Sequence, residues 1–292
     1  MNNISEDESE IQVYRCMLCG TQYKEMPQNK FCKVCGRPLN SRQTKISYNK
    51  IENGILIKIS DEAALKSMNA GQFWFQSPRY YQEFKDNDAV GDINECAIEN
   101  ILEVSSDELK KYMGLSKGTL IHCTDGKDYI LEKVLNGKVY VSSRYQNCYR
   151  LLCFYTLHIS DTGKIVKPDI RMRNMGTHFS IVKNRKRFVQ ILNNYVEKEV
   201  ESKNYDISVC SNWINYINDA YTGIYTPICK FDKYSYQNEY RCVLSSNEYG
   251  KLPEKKEKRI QLDAVADENI MTPPIPLEWL WKVSTLDELS KI

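Results

Sequence analysis

Tyr129-Ile130-Leu131-Glu132-Lys133-Val134-Leu135-Asn136-Gly137-Lys138-Val139-Tyr140-Val141-Ser142-Ser143 sets an Asn-Gly pair between two runs rich in β-branched and aromatic residues. A two-residue hairpin turn whose twist matches its strands needs positive φ at both central positions, and Asn followed by Gly adopts that geometry at least cost. The spacing predicts strands over 129–134 and 138–143, joined directly. Strands joined this way are antiparallel, because a parallel pair needs a crossover of a dozen residues or more. The body of the chain is therefore expected to be built mainly on antiparallel sheet.

Outward from the hairpin, short strands alternate with a few helices. Upstream, Thr119–Cys123 reads as a strand, and Ser105-x-x-Glu108 is a capping box opening a helix through Tyr112 that stops at Gly114. Further back, Ile55–Ser60 is an apolar strand, and Asp61-Glu62 starts a helix that ends before Gly71. Gln72–Gln76 is an aromatic strand, after which Ser77-Pro78 supplies an N-cap and a first-turn proline for a short helix through Phe84. Downstream, Leu151–His158 reads as a buried strand. Phe188, Ile191, Leu192, Tyr195 and Val196 recur at helical spacing, and 207–214, 239–244 and 259–265 are further strands. The fold class expected is α+β, mainly antiparallel sheet with a few helices, over a main domain at 54–292.

The N-terminal part has a different character. Residues 1–12 carry four acidic and no basic side chains and are expected to be a disordered tail. Cys16-Met-Leu-Cys19-Gly and Cys32-Lys-Val-Cys35-Gly follow, twelve residues apart. Two C-x-x-C pairs at this separation match a four-thiolate, tetrahedral, structural Zn²⁺ site. The stretch resembles the zinc-ribbon family over residues 13–40, and 41–53 reads as a polar linker. Between 13 and 50 eight basic residues face Glu25 alone, an excess of seven positive charges. A zinc tetrathiolate contributes −2 to that balance, so the module stays basic. Lys30, Lys33 and Arg37 are the residues expected to meet nucleic-acid phosphates, or a protein target in their place. The alternative is that these charges only solubilise a module with little core.

Composition narrows the rest. Hydrophobic residues make up 42% of the 292, enough for a core, and the net charge of +2 excludes a wholly basic nucleic-acid surface. No apolar run is long enough for a membrane span and the first residues are polar and acidic, so a cytoplasmic protein with no membrane contact is expected. Of eleven cysteines the ribbon takes four. The odd remainder, scattered among apolar residues, reads as buried reduced thiols.

Chemistry in the body is sought in Gln237-Asn-Glu239-Tyr-Arg241. On a strand, Gln237, Glu239 and Arg241 share one face. The Gln-x-Glu pair resembles the third motif of the Arg-Ser-Glu class of ADP-ribosyltransferases. That resemblance implies NAD as substrate, Glu239 stabilising an oxocarbenium-like centre and Gln237 orienting the acceptor. Lys58 then stands where that class has its first-strand Arg, and Gln76-Ser77 where it has Ser-x-Ser. His122-Cys-Thr124 is similar to the His-x-Thr start of the His-Tyr-Glu class. Glu95, after Gly91-Asp92, is a second catalytic candidate facing a pocket formed by Trp74 and Tyr80. Arg241 completes the substrate-binding set. Without chemistry, the same strand is a polar face on which Glu239 and Arg241 make ion pairs. Gly71–Phe75, Gly91–Glu95, Leu151–Tyr155 and Phe231–Arg241 also resemble an uncharacterised bacterial family found near mobile elements and antiviral loci. This implies a bacterial or phage effector or defence role. The alternative is a non-catalytic domain that binds a ligand or partner.

The ribbon yields the first prediction. Purified protein is expected to hold one zinc per chain, because so small a module has too little apolar mass to fold without it. Cys19→Ser should lose the metal while the body stays folded. Elemental analysis finding no zinc in protein prepared without chelators would remove the ribbon.

Overall fold

Asn136 and Gly137 adopt φ of 51° and 74°, the two positive values that the hairpin reading requires. The computed structural model describes residues 14–15, 22–23, 54–83, 95–96, 98–122, 128–142, 148–160, 162–203, 206–218, 220–251 and 257–291. In chain order the first elements are β1 (Tyr14–Arg15), β2 (Gln22–Tyr23), β3 (Gly54–Ser60), α1 (Glu62–Asn69), β4 (Gln72–Phe75), α2 (Pro78–Gln82), β5 (Asn100–Glu103) and α3 (Ser106–Met113). Next come β6 (Leu120–His122), β7 (Asp128–Leu135), β8 (Lys138–Ser142), β9 (Tyr149–His158), β10 (His178–Ile181), α4 (Arg185–Lys203), β11 (Ile207–Trp213) and β12 (Asn215–Ile217). The remainder are β13 (Gly223–Ile224), β14 (Cys229–Phe231), β15 (Glu239–Ser246), β16 (Lys258–Gln261), α5 (Asp263–Asp267), β17 (Ile275–Pro276), α6 (Trp279–Lys282) and α7 (Leu286–Leu289). The class is α+β, with mainly antiparallel sheets.

Six strands form the central sheet in the order β11-β15-β9-β3-β10-β17, every neighbouring pair antiparallel. Both faces are buried, which is why β3 and β9 read as continuous apolar runs rather than alternating ones. On one face α1, α4 and α5 lay Leu65, Phe188, Leu192 and Val265 over Leu56, Leu152, Phe154 and Tyr240. On the other, Met172, Leu280 and Leu289 cover Ile57, Tyr155 and Leu157. The Asn136-Gly137 hairpin belongs to a second, five-stranded sheet, β13-β5-β8-β7-β6, with its own smaller core around Leu131, Val139 and Val141.

Local sequence signals set the helix starts. Asp61 caps α1 through Ala64 N, Ser77 caps α2 with Pro78 in its first turn, and Ser105 with Glu108 forms the full capping box of α3. Gly71 must be glycine: its φ is +84°, and a Cβ there would lie 2.8 Å from the Leu262 carbonyl oxygen.

Two segments differ from the sequence expectation. The strand expected over 259–265 is β16 followed by helix α5, because β16 pairs with β4 only as far as Gln261↔Gln72 and Leu262 N then closes onto Gly71 O. The strand expected over 207–214 is β11, with Ile214 N still donating to Glu239 O at 2.9 Å. Beyond it β12 leaves β15 and pairs in parallel with β14. Gln237 is not on the strand with Glu239. It ends a 3₁₀ helix over Asp232–Gln237, and Asn238 enters the left-handed region (φ 39°, ψ 49°) before β15 begins. β1 and β2 pair antiparallel, Tyr14 opposite Tyr23. Cys16, Cys19, Cys32 and Cys35, with Lys30, Lys33 and Arg37, lie outside the described residues. No described helix is long and apolar enough to cross a membrane.

Candidate functional site

The central sheet comes apart in the middle. β3 and β9 are paired from Gly54↔His158 to Ile57↔Tyr155, and there the ladder stops. Beyond that point β3 continues beside β10 alone, Lys58 opposite Ser180, while β9 continues beside β15. Further along, Gln76 bridges to Leu151 through two backbone hydrogen bonds of 2.7 and 2.8 Å. Between Tyr155 and Leu151 the β3-facing edge of β9 is open at Cys153. A buried carbonyl left there without a partner would cost a hydrogen bond. Lys58 supplies that partner, its Nζ donating to Cys153 O at 2.7 Å.

A cavity of about 310 Å³ occupies this opening. Its wall takes Lys58–Asp61 from β3 and the residue after it, Trp74 and Gln76 around β4, Tyr80 and Tyr81 of α2, Leu152–Tyr155 of β9, Lys230 of β14, Gln237 and Glu239. Met172 and Met175 complete it from a 3₁₀ helix over Ile170–Met175. Three residues per 3₁₀ turn put these two methionines on one side. By register Lys58 lies on the Ser180 side of the sheet and Glu239, opposite Tyr155, on the other. Both reach one cavity only because the sheet is split.

Behind the wall stands a buried ion cluster. Arg241 is fully buried and Glu95 is 1% exposed. Arg241 Nε donates to Glu239 Oε1 at 2.7 Å, Nη1 and Nη2 donate to the two Glu95 oxygens at 2.5 and 2.9 Å, and Nη1 also reaches the Pro227 carbonyl. Lys230 Nζ meets Glu239 Oε2 at 2.8 Å, Glu95 Oε2 at 3.5 Å and Gln237 Oε1 at 2.8 Å. The Glu239 backbone N–H donates to Tyr216 Oη at 2.9 Å, and Gln82 of α2 holds the Glu95 carbonyl at 2.7 Å.

The electrostatics follow from this packing. Burial alone would raise the Glu239 pKa, but Arg241 and Lys230 outweigh it and hold the carboxyl well below the usual range. Burial also works against the Arg241 guanidinium, and Glu239 with Glu95 more than offsets it. Lys58 differs: burial lowers its pKa, with weaker opposition from Cys153 and Glu239. Its Nζ has the Cys153 carbonyl and the Phe154 ring as neighbours, and no carboxylate of the described residues pairs with it. Burial pushes the Cys153 thiol up to about 12, which favours its protonated form.

Of the residues singled out in sequence, Lys58, Trp74, Tyr80, Gln237 and Glu239 come together on the wall. Glu95 and Arg241 stand behind it rather than in it, and the pair on β15 is buried rather than an exposed polar face. Ser77 is buried too, its hydroxyl committed to the α2 cap at Tyr80 N. His122 pairs with Asp128 on the exposed edge of the second sheet. Sequence reasoning missed Lys230, although a lone lysine in the apolar run Ile228-Cys-Lys-Phe231 is what a buried paired cation looks like. It also missed the two wall methionines, which carry no such signal. Among the described residues no His, Cys, Asp and Glu cluster could hold a metal. No protein-family model, curated protein or solved structure matches the chain.

Removing one member of the cluster leaves a charge in the dry interior without its partner. Glu95→Gln is expected to cost about 3–5 kcal/mol of unfolding free energy, and Glu239→Gln a similar amount. Because the folded Glu239 pKa is depressed, its contribution is present above about pH 4.3 and is lost as pH falls below that value. Urea titrations at pH 7 and pH 3 should therefore show the gap between wild type and Glu239→Gln narrowing in acid. A Glu95→Gln midpoint equal to wild type would overturn the cluster's structural role.

Proposed function

We propose that the body is a ligand-binding domain whose cavity takes a small planar anion of the nucleotide class. The observation that carries this reading is Lys58, a partly buried cation on the wall with no carboxylate partner among the described residues. Each carboxylate of the cluster already has cations, whereas among the described residues Lys58 Nζ contacts a carbonyl dipole and a ring. An anion entering beside it would offset the cost of desolvating that ammonium. The remaining wall suits a planar group: Trp74, Tyr80, Tyr81, Phe154 and the two methionines offer flat or soft apolar surface, and Gln237 a polar edge. A cavity of about 310 Å³ falls within the range of small-ligand sites.

A second reading keeps the ADP-ribosyltransferase resemblance, with NAD as substrate, and its support is that Gln237, Glu239 and Lys58 share one cavity. Against it stands the charge around Glu239. A positive centre developing there would have Arg241 and Lys230 as close neighbours, which weakens electrostatic stabilisation by the carboxylate. In either case the zinc ribbon at 13–40 would bring the body to a nucleic-acid or protein target. The bacterial or phage effector role belongs to the same proposal.

Calorimetric titration of the full chain with AMP and with NAD⁺ tests both readings. AMP is expected to bind, and Lys58→Met should weaken it by tenfold or more. Binding needs the protonated amine, so affinity should fall as pH rises toward the lowered Lys58 pKa. Equal affinity in Lys58→Met would sink the anion reading. Release of nicotinamide from NAD⁺, lost in a folded Gln237→Ala variant, would favour transfer.

A further inference from the structure

The 3₁₀ helix that closes the cavity has a second side. Met172 and Met175 face in, while Arg171 and Arg173 of the same turn are exposed. Each guanidinium sits over an aromatic ring, Arg171 over Tyr236 at 3.5 Å and Arg173 over Trp281 at 4.7 Å from guanidinium carbon to ring centroid. Tyr236 is next to Gln237 of the cavity wall. Lys164 and Lys167 lead into this turn, and from 164 to 175 four basic residues face Asp169 alone.

Such a ledge has specific chemistry. A guanidinium held over a ring has lost some of its rotamer freedom already, and its planar group can meet a base by its face and a phosphate by its N–H edge. Asp169 engages Arg171 through two hydrogen bonds, 2.9 Å to Nε and 2.8 Å to Nη2, which fixes that side chain. Arg173 is exposed and has no such carboxylate partner among the described residues, so its N–H edge is open to a phosphate. The cavity of about 310 Å³ is of small-ligand size, and the turn that carries the two arginines also supplies Met172 and Met175 of its wall.

We propose that the ligand is the terminal nucleotide of a single-stranded nucleic acid. Its last base and phosphate would enter beside Lys58, and the following nucleotides would lie along Arg171 and Arg173. This rests on the anion reading of the cavity and adds the strand to it. A terminal nucleotide can enter the cavity only when it is unpaired, so single strands are the expected ligand.

The test uses the full chain carrying Lys30→Glu, Lys33→Glu and Arg37→Glu, which removes the basic residues expected to bind nucleic acid in the ribbon. Fluorescence anisotropy is read with a labelled ten-nucleotide oligothymidine over a series of salt concentrations, and AMP binding is followed in parallel by calorimetry. Adding Arg171→Glu and Arg173→Glu should weaken the strand by tenfold or more and flatten its salt dependence, by about 0.7 in the log–log slope for each phosphate no longer neutralised. AMP affinity should stay unchanged. Both arginines are exposed, so the variants are expected to fold, and a thermal melt checks this. Lys58→Met should weaken both the strand and AMP. Unchanged strand affinity in the double arginine variant would overturn the proposal, as would equal competition by a ten-base-pair duplex. Failure of the ribbon-reversed chain to bind the strand would also overturn it, and AMP binding in that same protein would leave the cavity reading standing.

Discussion

Arg241 must be satisfied without water, and much of the architecture around the cavity follows from that requirement. A guanidinium has five N–H donors and no acceptor, so a fully buried one needs acceptors converging from several directions. Here they come from three places in the chain: Glu239 two residues away on β15, the Pro227 carbonyl ahead of β14, and Glu95 after α2. Two carboxylates against one guanidinium leave an excess negative charge, and Lys230 balances it from β14. A pair of this kind adds little stability compared with an apolar core of the same volume, but breaking it is costly. Its effect is on specificity: α2, β14 and β15 can satisfy the cluster in one arrangement.

That arrangement presents the cavity with charges of fixed orientation. Glu239 has both oxygens engaged and its backbone N–H on Tyr216, so it has little freedom to turn toward a ligand. Lys58 is held less firmly, by one hydrogen bond across the split. A site with one rigid and one adaptable charge is suited to recognising a ligand through the adaptable one. The split itself is maintained from both ends, by the β3–β9 ladder at Ile57↔Tyr155 and by the Gln76–Leu151 bridge. Gly176 helps as well. A Cβ there would lie 2.5 Å from the Ser60 carbonyl oxygen, so glycine lets the chain leaving the methionine-bearing turn pass against the end of β3.

Signals confined to a few adjacent residues were legible in the sequence. Asp61, Ser77 and Ser105 cap their helices because each hydroxyl or carboxylate needs only the backbone two or three residues ahead. Asn136-Gly137 turns the chain because the pair alone tolerates the dihedral angles. The same locality explains the misreadings. Val265 looked like part of a strand because apolar content alone does not distinguish strand from helix over a few residues. Gln237 was placed on one face with Glu239 because a left-handed Asn238 between them leaves no mark in a period-two pattern.

The sequence by itself determined the α+β class, the helix starts, the hairpin, and the residue types on which chemistry can rest: Lys58, Trp74, Tyr80, Gln237, Glu239 and Arg241. Only the tertiary structure decided which of them face a cavity. Glu95 and Arg241 are 146 residues apart, and their pairing depends on where β14 and β15 bring Pro227 and Lys230. Lys58 and Glu239 lie on opposite faces of a sheet by register, and no periodicity could bring them together. They meet because β3 and β9 separate after Ile57↔Tyr155, and that separation is a property of how the strands pack.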